Sequence, residues 1–299
     1  MGKKKALVIY YSQMGQTRDA ITAFLRGFSR HAHCDLVQIE PQEQFAFPWK
    51  MNAFFRAFPR CIKARPPSIK PLAIDWSQYD LIILGYQVWF LSPSLPIQGF
   101  LDSQCAKELK DKPVVTLATC RNLWISAFNT IRNSLTGLGA NFVGQITLCE
   151  RNPVWASFVT TPFWIFTGRK QGFWFFPPAG IAPEQFATLE PKGEQLGQLL
   201  ANGAALQCTA TAELLGSNLG TVSLAMMEWV GIRVFHFWAG LILRLAPTPG
   251  FTQDLLLVFF RLSLVITILT VAPCTRIFEI LVHNDPKWTA QFSRPLPHP

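Results

Sequence analysis

The chain has 299 residues, a net charge of +9, a pI near 9.4 and 49% hydrophobic residues, which allows one large α/β unit or two domains with an ample core. The charge favours anionic partners: a phosphate-bearing cofactor, a membrane face, an acidic carrier protein or nucleic acid. Seven cysteines with no Cys-x-x-Cys pair and no histidine cluster beside them argue against a metal site and read as reduced thiols of a cytoplasmic protein.

In chain order, the opening MGKKK leads into ALVIYY (6 to 11), a strand-length run shorter than a secretory apolar segment. Ala6 stands where a myristoylation motif places Ser or Thr. Further strands are predicted at 35 to 40, 80 to 86, 113 to 119 and 141 to 148, and helices at 16 to 32, 96 to 110, 125 to 138 and 184 to 202. Runs this apolar, separated by helix-length spans, imply strands covered on both faces, hence a doubly wound α/β fold with a parallel sheet. No internal repeat is present.

Two connections, 41 to 75 and 149 to 183, are far longer than such links usually are. The first alternates Lys50, Arg56, Arg60, Lys63 and Arg65 with Phe45, Phe47, Trp49, Phe54, Phe55 and Phe58. The second carries Trp155, Phe158, Phe163, Trp164, Phe166, Phe173, Trp174, Phe175 and Phe176 among Arg151, Arg169 and Lys170. Solvent-facing loops rarely have this composition. After residue 204 the chain turns apolar, and 221 to 282 reads as a helical hairpin about PTPG. Arg233, Arg244, Asp254 and Arg261 interrupt its arms, and the uncharged run 262 to 275 is shorter than the ~20 residues of a spanning helix. A monotopic membrane contact and a helical pair packed on the α/β unit both stay open. The division expected is an α/β domain over 1 to 204 and an apolar hairpin with an irregular tail, from Asn284, over 205 to 299.

The junction YYSQMGQT joins the first strand to the first helix. Amides exposed at a helix start, with Gly15 permitting close approach and Ser12 and Thr17 adding hydroxyls, form a phosphate site. The loop lacks the lysine of a Walker motif and the spacing of the dinucleotide fingerprint. It resembles the phosphate loop of the flavodoxin-like FMN-binding family, through Ser12, Gly15 and Thr17. The segment after the third run, with Gln87, Val88, Trp89 and Phe90, is similar to that family's ring-flanking loop, and Thr119, Cys120, Arg121 and Asn122 to its next ring loop. The resemblance covers roughly residues 5 to 200. It implies a five-stranded sheet in order 2-1-3-4-5 with FMN at the carboxyl ends, held by Ser12, Gln13, Met14, Gly15, Gln16 and Thr17 together with the two ring loops. Trp89 and Phe90 could equally be core packing.

Both long insertions would then leave from the flavin edge and wall in an apolar or lipid-like small-molecule substrate. Their basic and aromatic residues suit a peripheral membrane contact on the inner face, or an acyl carrier protein or ketosynthase partner. Nucleic acid is not expected, because the apolar hairpin accompanies them. A narrower resemblance, through KALVIYYSQMGQT, VWFLSPSLP, the aromatic insertion and the apolar tail, is to flavodoxin-like proteins of dialkylresorcinol biosynthesis. It implies FMN-dependent oxidation of a 2,5-dialkylcyclohexane-1,3-dione to a resorcinol. A membrane-associated NAD(P)H:quinone reductase and a non-enzymatic adaptor with a degenerate fold are the competing functions. No catalytic triad or paired carboxylate stands out, so Tyr86 and Arg121 are the candidate catalytic groups, Arg121 for enolate or reduced-flavin charge. His31 and His33 are expected at the end of the first helix, His236 as helix packing, and Cys120 as packing too.

Overall fold

The computed structural model describes residues 3–203, 206 and 222–282. The expected domain boundary at 204, Cys208 and the tail from Asn284 lie outside the described residues.

Five strands form one parallel sheet: β1 (Lys5–Tyr10), β2 (His33–Gln38), β3 (Leu81–Trp89), β5 (Pro113–Cys120) and β6 (Asn141–Cys149), in the order β2-β1-β3-β5-β6. Counting parallel strands alone, this is the 2-1-3-4-5 order of the flavodoxin-like fold, as the sequence reading expected. Central β1 pairs on one side from Lys5↔His33 to Tyr10↔Gln38 and on the other from Ala6↔Leu81 to Tyr10↔Gly85. Ala6, Leu7, Val8 and Ile9 are fully buried, as a strand covered on both faces requires.

Alternate residues feed the two layers. Ala6, Val8 and Tyr10 meet Phe24 and Phe28 of α1 (Gln16–Phe28) and Leu196 and Leu200 of α7 (Leu189–Ala201). Leu7 and Ile9 face Ile97 and Phe100 of α3 (Leu95–Leu101) and Ile131 and Leu135 of α4 (Ile125–Gly137). The α1–α7 crossing is close because Gly193 lies against the Phe24 backbone, where a Cβ would overlap its carbonyl oxygen. Arg30 binds Glu190 and Glu194 across the same crossing.

Several elements differ from expectation. The third strand continues to Trp89, so Gln87 and Val88 are strand residues, and the chain reverses at Phe90 and Leu91 (φ 51° and 62°) into the short antiparallel β4 (Ser92–Pro93). Helix 96 to 110 stops at Leu101 and resumes as a 3-10 turn, Gln104–Leu109, while 184 to 202 divides at Thr188 into α6 (Pro183–Ala187) and α7. Helix α1 ends at Phe28: His31, just beyond it, donates its backbone N–H to Phe28 O at 3.1 Å and brings its ring toward Glu194, while His33 opens β2 beside Asp35. Each long insertion contains a helix, α2 (Met51–Ile62) and α5 (Val154–Thr167).

The hairpin consists of α8 (Val222–Leu245) and α9 (Phe251–Val282). One side packs on α2, where Phe58 and Phe260 stack with centroids 3.9 Å apart and Phe235, Ile242 and Leu257 complete the cluster. Arg56 binds Asp254 through two hydrogen bonds, of 2.9 and 2.7 Å. Buried Glu228 accepts the backbone N–H groups of Ile125 and Ser126, closing the start of α4. The other side leaves Phe237, Phe259, Leu262, Val265, Ile266 and Leu269 exposed. Residues Ser223–Leu245 and Phe251–Thr275 are long and apolar enough to cross a membrane by length and composition. The hairpin therefore takes one of the two arrangements left open by sequence, a helical pair packed on the α/β unit, and presents an apolar face on its other side.

Candidate functional site

A pocket opens at the carboxyl ends of β1, β3 and β5, the edge where ligands of open α/β sheets bind. Its volume of about 140 Å³ is several times the ~30 Å³ of one water molecule. Gln13, Met14 and Gln16 form one wall, Gln87, Val88, Trp89 and Phe90 another, and Thr119, Cys120 and Arg121 a third.

In the first loop Gly15 adopts the left-handed conformation (φ 87°) at the N-terminus of α1, which side-chain-bearing residues rarely do. Among the described residues the N–H groups of Gln13, Met14, Gly15 and Gln16 have no protein acceptor, while Ser12 Oγ accepts the Arg18 N–H at 3.3 Å. Unpaired amides at a helix start constitute an anion cradle. Thr17 is fully buried and its hydroxyl bonds that of Thr119 at 2.7 Å. It therefore ties α1 to β5 and does not point its hydroxyl freely at a ligand, a correction to the sequence reading. The Gln13 side chain is likewise engaged, donating to Phe45 O at 3.1 Å and accepting from Trp49 Nε1 at 2.9 Å. Gln13 clamps the first insertion over the pocket.

Gln87 is buried and among the described residues its Nε2 has no partner, leaving a desolvated donor that a ligand acceptor would satisfy. Trp89 makes edge contacts with Tyr11, Phe45 and Trp49 at centroid distances of 6.0, 5.2 and 5.5 Å, so it both packs the core and lines the pocket. Phe90 is held at positive φ, a strained state for a bulky residue, and bridges the pocket to the hairpin cluster through Phe54 and Phe58.

Arg121 lines the pocket with its guanidinium 4.2 Å above the Phe158 ring, and its Nε donates to Asn122 Oδ1 at 3.3 Å. It makes no ion pair among the described residues, and burial pushes its pKa down to about 10, against the pull of Glu150 and Cys120. A half-buried cation with no ion pair among the described residues can receive an anionic group. Asn122 serves this guanidinium and lies outside the lining. Tyr86 also lies outside it: the ring is fully buried and its hydroxyl donates to Gln145 Oε1 at 2.7 Å. Burial pushes that hydroxyl's pKa far up, so Tyr86 is a core residue and is withdrawn as a catalytic candidate. Strand pairing, which turns Tyr86 away from the pocket and Gln87 toward it, is the reason.

The structure adds residues that the sequence reading passed over. Glu150, the residue after β6, is the carboxylate in the lining; it is buried, accepts from Asn152 Nδ2 at 2.6 Å and is reached by Thr161 Oγ1 at 3.3 Å. Trp49 and Phe54 from the first insertion and Trp164 and Ile165 from α5 complete the apolar walls. Both insertions thus fold over the carboxyl edge. Glu150 opens the polar stretch Glu150-Arg151-Asn152 directly after the apolar run of β6, at the carboxyl end of a strand, the one sequence signal that could have singled it out.

No known family's sequence pattern matches the chain, and no curated protein matches it in sequence. Solved structures do. A flavoprotein in complex with FMN from Lactobacillus acidophilus is 24% identical, covering 49% of this chain and 93% of its own, with a TM-score of 0.39. A flavodoxin from the domain Archaea is 12% identical over 65% of this chain and 96% of its own, with a TM-score of 0.36. An NAD(P)H:quinone oxidoreductase from Methanothermobacter marburgensis is 13% identical over 67% of this chain and 98% of its own, with a TM-score of 0.37. At these scores the similarity assigns no residue a role; strand order and pocket geometry carry the fold and the site.

Proposed function

We propose that the pocket holds FMN and that the protein is an FMN-dependent oxidoreductase acting on an apolar, lipid-like substrate, with oxidative aromatisation of a 2,5-dialkylcyclohexane-1,3-dione to a dialkylresorcinol as the specific reaction. The observation that carries the reading is the pairing of two unsatisfied features at one cavity: the open amides of the lining residues Gln13, Met14 and Gln16 and the orphaned Gln87 Nε2. A flavin mononucleotide carries a terminal phosphate dianion and a ring edge of carbonyl acceptors, which fit the two features in turn. When bound, FMN supplies a two-electron acceptor.

The chain's own groups account for the rest. The amides after β1 hold the phosphate, while Trp49, Phe54, Trp89 and Trp164 exclude water and receive alkyl arms. Arg121 stabilises negative charge on an enolate oxygen or on the reduced cofactor. Glu150, kept in place by Asn152 and Thr161, takes the proton that an enolisable dione releases from its ring carbon. The exposed face of α8 and α9, together with exposed Trp155, Trp174 and Phe175 near Arg169 and Lys170, supports delivery of such a substrate from an anionic lipid surface; a basic face of this kind would also receive an acyl carrier protein.

The test is optical. Isolated protein should be yellow, and an anaerobic dialkylcyclohexanedione should bleach it while NADH and NADPH do not. Glu150→Gln should keep the yellow colour and lose bleaching by the dione by ~10²-fold or more. Bleaching by NAD(P)H with recovery by a quinone would establish a quinone reductase in its place. Folded protein that stays colourless and refuses added FMN would sink both.

A further inference from the structure

Cys120 ends β5 and Cys149 ends β6, and the two are register partners across that parallel pair. Their Sγ atoms lie 3.2 Å apart, in direct contact. Neighbouring strands run ~4.8 Å apart, within the ~4.4–6.8 Å over which Cα atoms are joined by a disulfide. Bond formation therefore needs side-chain rotation and little backbone movement. Cys120 is reached from the pocket, while Cys149 lies behind it against Trp124 and Phe128. Among the described residues no other two cysteines touch.

We propose that Cys120 and Cys149 are a redox-active dithiol, a two-electron centre in the pocket wall that closes reversibly to a disulfide by exchange with small organic disulfides. The Cys120 sulfur, as thiolate, attacks one sulfur of the small disulfide; a new S–S bond forms, the old one breaks, and the departing thiolate takes up a proton. Cys149 then gives up its proton and attacks Cys120 of the mixed disulfide, expelling the second small thiol. In sum, the protein dithiol loses two electrons and two protons, and one small disulfide becomes two thiols. The adjoining Cys149 thiol and then burial hold Cys120 protonated at neutral pH, with Glu228 adding to that pull and Arg121 opposing it. Exchange is accordingly slow, and the position of equilibrium is the quantity to measure.

The full chain is held in glutathione buffers of stepwise oxidising poise until its count of free thiols is constant, then alkylated, digested and mapped by mass spectrometry. The expected result is the joint loss of alkylation at Cys120 and Cys149 in one transition of two-electron slope, with a digest fragment linking the strand ends. In Cys149→Ser protein, Cys120 should stay alkylatable across the same transition or carry the small thiol as a mixed disulfide. The proposal is overturned if both thiols remain alkylatable in the most oxidising buffer, or if either is found joined to a different cysteine. Because thiols are counted without cofactor, colourless protein that shows the transition keeps this inference while the FMN reading fails. Yellow protein lacking the transition does the reverse.

Discussion

Replacing Arg121 by methionine should make the ligand-free protein more stable and its site worse. Burial lowers the guanidinium's pKa to about 10, and at ~1.4 kcal/mol per pKa unit the cost of keeping it charged is on the order of 3 kcal/mol. The Phe158 face, 4.2 Å away, returns ~1 kcal/mol, and water at the pocket mouth returns a further part. Methionine of similar length keeps the packing, so a net gain of ~1 kcal/mol is expected in urea denaturation of FMN-free protein at neutral pH. The sign with pH follows from a base whose folded pKa is depressed. Its destabilising contribution is present below about pH 10 and vanishes as pH rises beyond it, so the gap between variant and parent should close in alkaline solution. Affinity for reduced FMN relative to oxidised FMN, read from the shift in the bound cofactor's reduction potential, should fall ~10-fold or more, since ~1.4 kcal/mol of charge pairing with the reduced ring is lost. A variant destabilised by over ~1 kcal/mol with an unchanged potential would show that Arg121 is a packing strut and refute the anion-site argument.

Gly193→Ala places a methyl group on the Phe24 carbonyl oxygen, and since backbone cannot yield cheaply the midpoint of thermal unfolding should drop by several degrees, ~1–3 kcal/mol. Gly15→Ala has room for its Cβ but sits at φ 87°; strain of ~1 kcal/mol should appear in denaturation curves, with weaker FMN binding by titration calorimetry. Phe58→Ala removes the ring stacked on Phe260 and should cost ~3–5 kcal/mol, with early proteolytic cleavage of the hairpin; a cleavage pattern like the parent's would argue against the packing described. Vesicles of anionic lipid should sediment the parent protein, and Phe259→Glu with Val265→Glu, on the exposed face, should leave it in solution.

The sheet order was legible because Leu7, Ile9, Ile82 and Leu84 lie in strands covered on both faces, whose unbroken apolar runs separate cleanly from amphipathic helices. The turn from β1 into α1 was legible from Gly15, which takes the left-handed conformation there. Which face each side chain takes was not. Tyr86 and Gln87 are neighbours, and only the pairing of β3 with β5, Tyr86↔Ala118 and Gln87↔Thr119, decides which enters the pocket. Glu150 escaped notice because its chemistry depends on Asn152, Thr161 and the pocket wall, contacts made by the fold of an insertion without periodicity. The Phe90–Leu91 reversal was hidden as well, because bulky residues at positive φ break the turn preferences that sequence reading uses.

The carboxylate that closes the start of α4 belongs to Glu228, 102 and 103 residues later than the amides it receives. A ribosome therefore releases the sheet and its middle helices well before the group that finishes one of them, so that helix should gain full hydrogen-exchange protection only when the late arm has docked. Nascent chains stalled short of Glu228 ought to hold α4 loosely, and a pocket bordered by that helix's leading loop should be among the last parts of the molecule to become competent.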